Sequence, residues 1–382
     1  MQRDRRIGYR WRMTKRTLLS TGIVSALGVI LVSTQMVSSQ APPAGGAKAA
    51  PKTSPYTAPR TPWGDPDFQG SWTTDDVIGI PLQRAQNFGD RLYLTDEEFA
   101  TRAKADEQNR KNNANAIGSF RFDVGYRTFR QTSLISDPPD GRLPAFTPEA
   151  ELRRAPRDRG TNGDGPFDSP EDFTLYDRCL TRGVLGSILP VIYGNGARII
   201  QSPGVVVISH EMIHDSRIIY TDGRPHVGKN IRQYLGDSRG RWDGNTLVVE
   251  TTNLTDRTSI GLNGNGLRHS ADMKLTERFT RTEPDVIMYE VRIEDPKTYT
   301  KPFTITMPLT SPPGFRVLPY ECHEGNYMIA HSLSAERAED KALAEDMKNG
   351  VVRARKPVQT GNIFAGPDGG GRGGAGRGAP PQ

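Results

Sequence analysis

The sequence predicts a mainly β fold: an antiparallel lipocalin-like barrel or closed sandwich, with an extended N-terminal arm and a few peripheral helices. After residue 197, short segments rich in Val, Ile and Thr alternate with turn signals, which is typical of strands joined as hairpins. Apolar and polar side chains alternate in residues 286–294, as expected for a strand with one buried face. Residues 63–185 are instead rich in Pro, Gly, Asp and Arg, so we interpret them as an irregular arm with short helices.

The predicted antiparallel β-barrel domain spans residues 186–333. Its candidate strands cover residues 197–201, 205–211, 213–220, 230–235, 246–252, 272–280, 286–293, 302–309 and 315–320. In the arm, helices are predicted to begin after Thr95, Thr147 and Ser169, each a capping residue followed by Asp or Pro. A C-terminal helix is predicted over residues 334–350, with Ser334 as its N-cap.

The two ends of the chain are predicted to lie outside the folded body. Residues 1–41 hold a basic segment, an apolar stretch and the small-residue sequence Ser-Gln-Ala, the pattern of an export signal. A Pro-rich linker follows over 42–62, and residues 351–382 form a disordered Gly/Arg-rich tail. The apolar stretch is short and broken by Ser and Gly, so we expect a periplasmic or extracellular protein with no stable membrane insertion after processing.

The charge balance argues against nucleic acid as a partner. Residues 1–41 contain seven of the 50 Lys and Arg residues and one of the 44 acidic residues, so the remainder carries 43 of each and no net charge. The Gly-rich tail also lacks aromatic residues after Phe364, which single-stranded nucleic acid would need for stacking. We therefore expect a small-molecule ligand and no nucleic acid; the sequence does not predict an oligomeric state.

The chain has two cysteines, Cys179 and Cys322, one before and one after most of the predicted strands. In an oxidising compartment two such cysteines are expected to form a disulfide, and closing so long a loop would stabilise the fold. The alternative is a pair of buried thiols.

Residues 210–214 read His-Glu-Met-Ile-His, which on a helix is the signature of zinc peptidases. On a helix, His210 and His214 would share a face and could bind one zinc ion, with Glu211 as the base. On a straight strand the two histidines lie roughly 13 Å apart, too far for one ion. Val and Ile dominate residues 205–220, so a strand is favoured. Zinc at His210 and His214 is kept as the alternative, and no other cofactor is predicted.

On such a strand, Glu211, Asp215 and Arg217 point to one face while His210 and His214 point to the other. If the first face lines the barrel lumen, its carboxylates and guanidinium could bind a polar ligand or transfer protons. The alternative is a structural ion-pair network, since buried Asp and Arg require partners.

Other candidate residues lie on neighbouring elements. Glu250 is in a predicted half-buried strand and is a candidate base or salt-bridge partner. Arg224 and His226 follow a turn that could rim a barrel mouth and bind ligand, with a plain hairpin connection as the alternative. His323 and Glu324 lie beside the predicted disulfide; they are candidate ligand-binding residues, and His323 is a candidate third zinc ligand.

Several long motifs carry a family resemblance. They are HEMIHDSRIIYTDGRPH (210–226), LGDSRGRWDGNTLVVETTNLTD (235–256), LTERFTR (275–281) and YECHEGNY (320–327), together with the segment around DPPDGRLPAFTPEA. In these motifs the chain resembles a large group of secreted bacterial proteins of unassigned function. The resemblance implies export and a β-rich body, and it transfers no catalytic residue.

Three functional hypotheses follow. The first is an exported β-barrel protein that binds a small, partly polar molecule in its lumen, with acid/base lyase, hydratase or isomerase activity as an extension. The second is a zinc-dependent hydrolase that uses the His-Glu-Met-Ile-His motif. The third is a non-catalytic envelope interaction protein acting through the aromatic segment 61–72 and the Gly-rich tail. Residues 236–240 match Gly-x-Ser-x-Gly, but they lie in a predicted charged turn and not between a strand and a helix, so a hydrolase elbow is set aside. A P-loop pattern does not occur in the sequence.

Overall fold

The structure is a computed structural model that describes residues 56–114, 125–154, 167–261 and 267–355. The predicted export signal, residues 42–55 of the linker and residues 356–382 of the tail lie outside this described part. None of the helices it contains combines the length and the apolar character needed to cross a bilayer.

The body of the protein is one ten-stranded sheet. Its strands are β1 (Gly70–Trp72), β2 (Ile135–Asp137), β3 (Ala197–Ser202), β4 (Val205–His210), β5 (Ser216–Tyr220), β6 (Asp237–Asp243), β7 (Thr246–Thr252), β10 (Lys274–Glu283), β11 (Val286–Glu294) and β12 (Phe303–Thr310). They are ordered β1-β3-β4-β5-β6-β7-β10-β11-β12-β2. Two short strands, β8 (Ser259–Ile260) and β9 (Leu267–Arg268), form a separate pair. The mainly β prediction is therefore confirmed.

The predicted closed barrel is wrong, because the sheet curls into a half-barrel that stays open. Its two edge strands, β1 and β2, both come from the arm. Thr73, just after β1, exchanges two backbone hydrogen bonds with Thr310 at the end of β12 (2.7 and 2.8 Å). This single residue pair is an isolated bridge, and it does not extend into a ladder that would close the sheet.

Two predicted strands are not formed, because residues 230–235 and 315–320 are irregular. Residues 237–243, for which no strand is predicted, form β6. β6 pairs in parallel with β5 and antiparallel with β7. Its charged residues are tolerated because Arg239 and Arg241 alternate with residues on the buried face, so their side chains lie on the other face.

The helices surround the sheet. They are α1 (Asp96–Ala114), α2 (Pro148–Arg154), α3 (Gly183–Ile188) and α4 (Met328–Lys348). The predicted capping box at Thr95 is confirmed, because Thr95 N donates to Glu98 Oε2 (2.8 Å) and Glu98 N donates to Thr95 Oγ1 (3.3 Å). Ser169 caps a short 3₁₀ helix. The last helix begins at Met328, so the predicted cap at Ser334 is wrong.

One face of the sheet, the inner face, forms the hydrophobic core. It is packed with apolar side chains from nearly every strand, and α3 covers part of it through Val184, Leu185 and Ile188. Phe279 and Tyr289 lie at its centre with ring centroids 4.9 Å apart. Because these side chains fill the inner face, the ligand site predicted for a barrel lumen has to be sought elsewhere.

The arm attaches to the edge of the sheet through buried aromatic residues. Phe68 and Trp72 are in the core, and Gln201 of β3 accepts a hydrogen bond from Phe68 N (2.6 Å) and donates one to Pro66 O (3.0 Å). Trp63 is partly exposed. Two of the three aromatic residues in segment 61–72 therefore stabilise the fold and are not free to contact a partner.

Candidate functional site

The His-Glu-Met-Ile-His motif forms the hairpin turn between β4 and β5. β4 ends at His210, and His210 N donates to Asp215 O (2.8 Å) across the turn. Ile213 and His214 close the turn with left-handed backbone angles, φ 66° and 57°. A β-branched residue rarely adopts this conformation, so the turn is locally strained. The motif therefore lies neither on an α-helix nor on one continuous strand: Met212–His214 form a distorted 3₁₀ turn, and the predicted strand 213–220 starts only at Ser216.

This geometry does not provide the helix on which a zinc-peptidase motif depends. Among the residues that the structure describes, no group of three or more His, Cys, Asp and Glu side chains is placed to hold a metal ion. His210 and His214 consequently have no third ligand within that part of the chain, and a tetrahedral zinc site needs three or four.

The motif does, however, line a groove of about 260 Å³ on the surface. Its lining residues are Arg198, Ile200, Ser209, His210, Glu211, His214, Val317, Leu318 and Pro319. The polar groups come from β3, β4 and the turn, while the apolar groups come from Ile200 and from residues 317–319. The groove thus offers a polar end and an apolar wall, the combination that small partly polar ligands require.

The apolar wall belongs to a segment that we call the strap, residues 311–322, between β12 and the disulfide at Cys322. The strap is in neither helix nor strand, and Leu318 is 63% exposed. Glu211 Oε2 accepts a hydrogen bond from Leu318 N (3.1 Å), so a residue of the motif holds the middle of the strap. Gly196 permits this position of Glu211, because a Cβ there would lie 2.5 Å from Oε2.

The disulfide predicted between Cys179 and Cys322 is confirmed, with a Cα–Cα distance of 5.8 Å. It ties the strap to the arm segment that precedes α3. His323 and Glu324 follow it on the exposed surface and do not line the groove. The structure therefore does not bring these two predicted ligand-binding residues to the motif.

His210 is buried between the groove and the core. Burial, together with the smaller effect of the positive charges of Arg182 and Arg217, lowers its pKa to about 3. The imidazole is thus neutral at physiological pH, and its Nδ1 has no hydrogen-bond partner among the described residues. Ser187 Oγ is also without a partner, and both residues line an enclosed cavity of about 10 Å³. Such a cavity can hold about one water molecule, which these groups could bind.

Arg217 lies on the inner face and forms the structural ion-pair network considered above as the alternative. Its guanidinium makes a two-pronged ion pair with Glu277 of β10, with Nη1 to Oε1 at 2.8 Å. Ser238 Oγ accepts a hydrogen bond from Nε (2.9 Å), and Thr251 Oγ1 accepts one from Nη2 (2.6 Å). Tyr289 Oη donates to Glu277 Oε1 (3.0 Å). Although burial lowers the pKa of Arg217, the charge of Glu277 raises it above its ordinary value. Arg217 therefore does not face the groove.

Asp215 does not join Arg217 either, because the hairpin turn interrupts the strand alternation. Its Oδ2 accepts a short hydrogen bond from Thr181 Oγ1. Burial raises the pKa of this carboxyl, and the Thr181 hydrogen bond lowers it by less. The predicted common face of Glu211, Asp215 and Arg217 is therefore wrong. Glu211 lines the groove, Asp215 accepts a hydrogen bond from the arm, and Arg217 lies in the core.

Glu250 and His226 form a second polar cluster, apart from the groove lining. His226 Nδ1 is 2.7 Å from Asp237 Oδ2, and its Nε2 is 3.3 Å from Glu250 Oε1. Lys274 forms a short ion pair with Glu250 and is the main cause of the lowered pKa of that carboxyl. These contacts fasten the connection between β5 and β6 to the sheet. They fit the salt-bridge alternative given above for Glu250.

Arg224 lies in the exposed turn after β5. Its Nε donates to Asp222 Oδ2 (2.8 Å), and its guanidinium carbon lies 3.9 Å from the centre of the Tyr220 ring. Both partners are within the same turn, so the contacts fit the plain hairpin connection considered as the alternative.

Sequence reasoning missed several residues near the groove. Arg198 and Ser209 lie on the outer face of β3 and β4 and look like ordinary strand residues in the sequence. Arg182 precedes α3 and is completely buried. The signal that could have identified Arg182 is a lone charge at the head of the apolar run VLGSILPVIY.

Comparisons with protein-family models, curated proteins and solved structures found no match to this chain. The function is therefore inferred from the geometry of the site alone.

Proposed function

We propose that this is an exported protein that binds a small, partly polar molecule in the groove beside the His-Glu-Met-Ile-His turn. The observation that carries the proposal is the groove itself, where three residues of the motif meet an apolar wall formed by the strap. Its volume of about 260 Å³ suits a ligand the size of a substituted aromatic ring. The predicted signal and the disulfide support an oxidising, extracytoplasmic location.

Binding is favoured over acid/base catalysis because His210, Glu211 and Asp215, three of the predicted acid/base groups, are poorly suited to proton transfer. A general base works best when its pKa lies near the operating pH, and that of His210 is about 3. Glu211 holds the strap, and Asp215 is bonded to Thr181. His210 instead offers a neutral ring that can exchange hydrogen bonds with a ligand.

The test uses three probes that share one ring and differ in charge: benzamide, benzoate and benzylamine. Binding to the full mature chain is measured by ligand-observed NMR over a millimolar titration. We expect at least one probe to bind the wild-type protein and to lose binding in Ser209→Trp, whose indole would fill the groove.

Ser216→Trp is the matched control. Ser209 and Ser216 are cross-strand neighbours whose hydroxyls are 3.0 Å apart, so both substitutions break the same hydrogen bond, but Ser216 does not line the groove. Binding should survive in Ser216→Trp. Equal loss in both variants, or no binding of any probe to the wild-type protein, would contradict the proposal.

A further inference from the structure

The guanidinium of Arg182 is a buried charge without a hydrogen-bond partner in the described part of the chain. The residue is 1% exposed, and none of its three side-chain nitrogens has a hydrogen-bond acceptor among the described residues. Burial lowers its pKa to about 10, so the group remains positively charged at neutral pH. An unpaired buried charge is strongly unfavourable, and where a fold retains one, an anionic partner is the natural explanation.

The surroundings of Arg182 are rich in hydroxyl groups. Tyr176, Tyr193 and Tyr320 are near enough for their phenols to interact electrostatically with the guanidinium. The hydroxyls of Tyr176 and Tyr193 are 3.2 Å apart. Burial raises the pKa of Tyr176 and of Tyr320, so both phenols keep their protons and can donate hydrogen bonds. The region therefore presents one cation and several neutral donors.

This region adjoins the groove. His210 lines the groove and is close enough to Arg182 for the guanidinium to lower its pKa. Tyr320 directly follows Leu318 and Pro319, the strap residues that form the apolar wall. Arg182 itself does not line the groove and is 1% exposed, so a ligand there would reach it only if neighbouring residues such as the strap residues 317–320 moved.

We propose that Arg182 and the three tyrosine hydroxyls receive the carboxylate of a small organic acid, whose apolar part lies in the groove against Ile200 and Leu318. This inference rests on the proposed function and names its ligand class. A carboxylate fits because one guanidinium can balance one negative charge through two parallel hydrogen bonds. Neutral phenols add donors without adding charge, so a phosphate dianion would remain half-compensated.

Arg198 is a second cation at the groove that could also attract a carboxylate, so its substitution provides the control. It lines the groove but is exposed, and its side chain forms no hydrogen bond or salt bridge with the residues that the structure describes. A surface charge is screened by salt, whereas a buried one is screened much less. The two arginines can therefore be distinguished by substitution and by ionic strength.

The experiment compares the affinities of benzoate and benzamide, which differ only in the charged group, for the full mature chain. In the wild-type protein we expect benzoate to bind at least ~10-fold more tightly, in keeping with a charge-assisted hydrogen-bonded pair. In Arg182→Met this preference should disappear while benzamide still binds. In Arg198→Met the preference should remain within about threefold, and raising the salt from 50 to 500 mM should not remove it.

The outcomes separate the two proposals. Binding of benzamide and benzoate with equal affinity to the wild-type protein overturns the carboxylate inference and leaves the groove proposal standing. Loss of preference in Arg198→Met but not in Arg182→Met also overturns it. If inorganic phosphate competes with benzoate at lower concentrations than acetate does, the ligand class is a phosphate and not a carboxylate. Absence of all probe binding contradicts the proposed function itself.

A second variant keeps the test valid if Arg182→Met fails to fold. Tyr320→Phe removes one hydroxyl from the half-buried edge of the cluster and leaves the ring in place. We expect it to weaken benzoate binding several-fold with little change for benzamide. Unchanged benzoate affinity in a folded Tyr320→Phe protein would show that the Tyr320 hydroxyl does not bind the carboxylate.

Discussion

Two arginines are buried close to His210, and they differ in what surrounds them. Arg217 is 4% exposed, yet its guanidinium is fully occupied by Glu277, Ser238 and Thr251. Arg182 is 1% exposed and has no acceptor among the described residues. Both guanidinium charges lower the pKa of His210, a residue that lines the groove.

The difference shows how a buried charge can serve either structure or recognition. A buried charge that is paired within the fold costs little stability, but removing its partner is strongly destabilising. A charge left uncompensated lowers the stability of the ligand-free protein, and it is the feature expected where an anion is to be bound. The predictions below test whether the two arginines really divide in this way.

The largest effect is expected from Glu277→Gln. The substitution keeps the shape of the side chain but leaves Arg217 as an unpaired charge in the core, so the free energy of unfolding should fall by about 3–5 kcal/mol. Urea denaturation followed by circular dichroism measures it. The double variant Arg217→Met/Glu277→Leu removes both charges and should recover most of the loss. A change below about 1 kcal/mol in the single variant would show that the pair is not structural.

The second prediction concerns pH and His210, the residue that both arginines affect. Its pKa is about 3 in the folded protein and about 6.5 when unfolded, so the unfolded chain binds an extra proton between these values. This contribution to stability is fully present above pH 6.5 and is lost as the pH falls towards 3. At pH 5 about 2 kcal/mol of it has been lost. Thermal or urea unfolding of His210→Gln should show a correspondingly smaller loss between pH 7 and pH 5 than the wild-type protein.

Arg182→Met should produce a smaller effect of opposite sign. Removing an uncompensated charge and filling its place with an apolar side chain should raise the free energy of unfolding of the ligand-free protein by about 1–2 kcal/mol. It should also reduce the pH dependence that His210 causes, since one of the two nearby positive charges is gone. Urea unfolding at pH 7 and pH 5 measures both effects. Marked destabilisation at pH 7 would mean that Arg182 is satisfied by bound water and is a structural residue.

The smallest effect is expected from Glu211→Ala, which releases the strap at Leu318. The lost hydrogen bond to Leu318 N should change global stability by no more than about 1 kcal/mol. Amide hydrogen exchange at Leu318 should nevertheless become faster, because the strap is in no regular element. Glu211→Gln keeps an acceptor and should retain most of the protection. Unchanged exchange in Glu211→Ala would show that the strap is held by other contacts.

The strands and hairpins that local patterns encode could be predicted from the sequence. β10, β11 and β12 were identifiable because alternation and turn signals are read within a single hairpin. The turn between β4 and β5 was missed because Ile213 and His214 occupy left-handed positions that normally call for Gly, Asn or Asp. β6 was missed because its charged residues look like a turn until one sees which face each occupies.

The candidate site was predictable only in part, for a physical reason. Three residues that line the groove, His210, Glu211 and His214, lie within one five-residue motif and could be identified together from the sequence. Arg182, Tyr176 and Tyr193 lie within residues 176–193, whereas the motif and the strap come from distant segments that only the fold and the disulfide bring near them. The common face predicted for Glu211, Asp215 and Arg217 failed because one tight turn shifts the strand register.

The origin of the two edge strands determines the order in which this chain can fold. Within the sheet, neighbours such as β3 and β4 or β10 and β11 are joined by short turns and can pair as soon as they are synthesised. β1 and β2 instead pair with remote partners, Gly70 with Ile199 and Ile135 with Ile305, so closing these contacts requires long loops and must come late. Until the arm docks, the edges at β3 and β12 stay unpaired, and it is through these edges that incompletely folded chains would associate with one another.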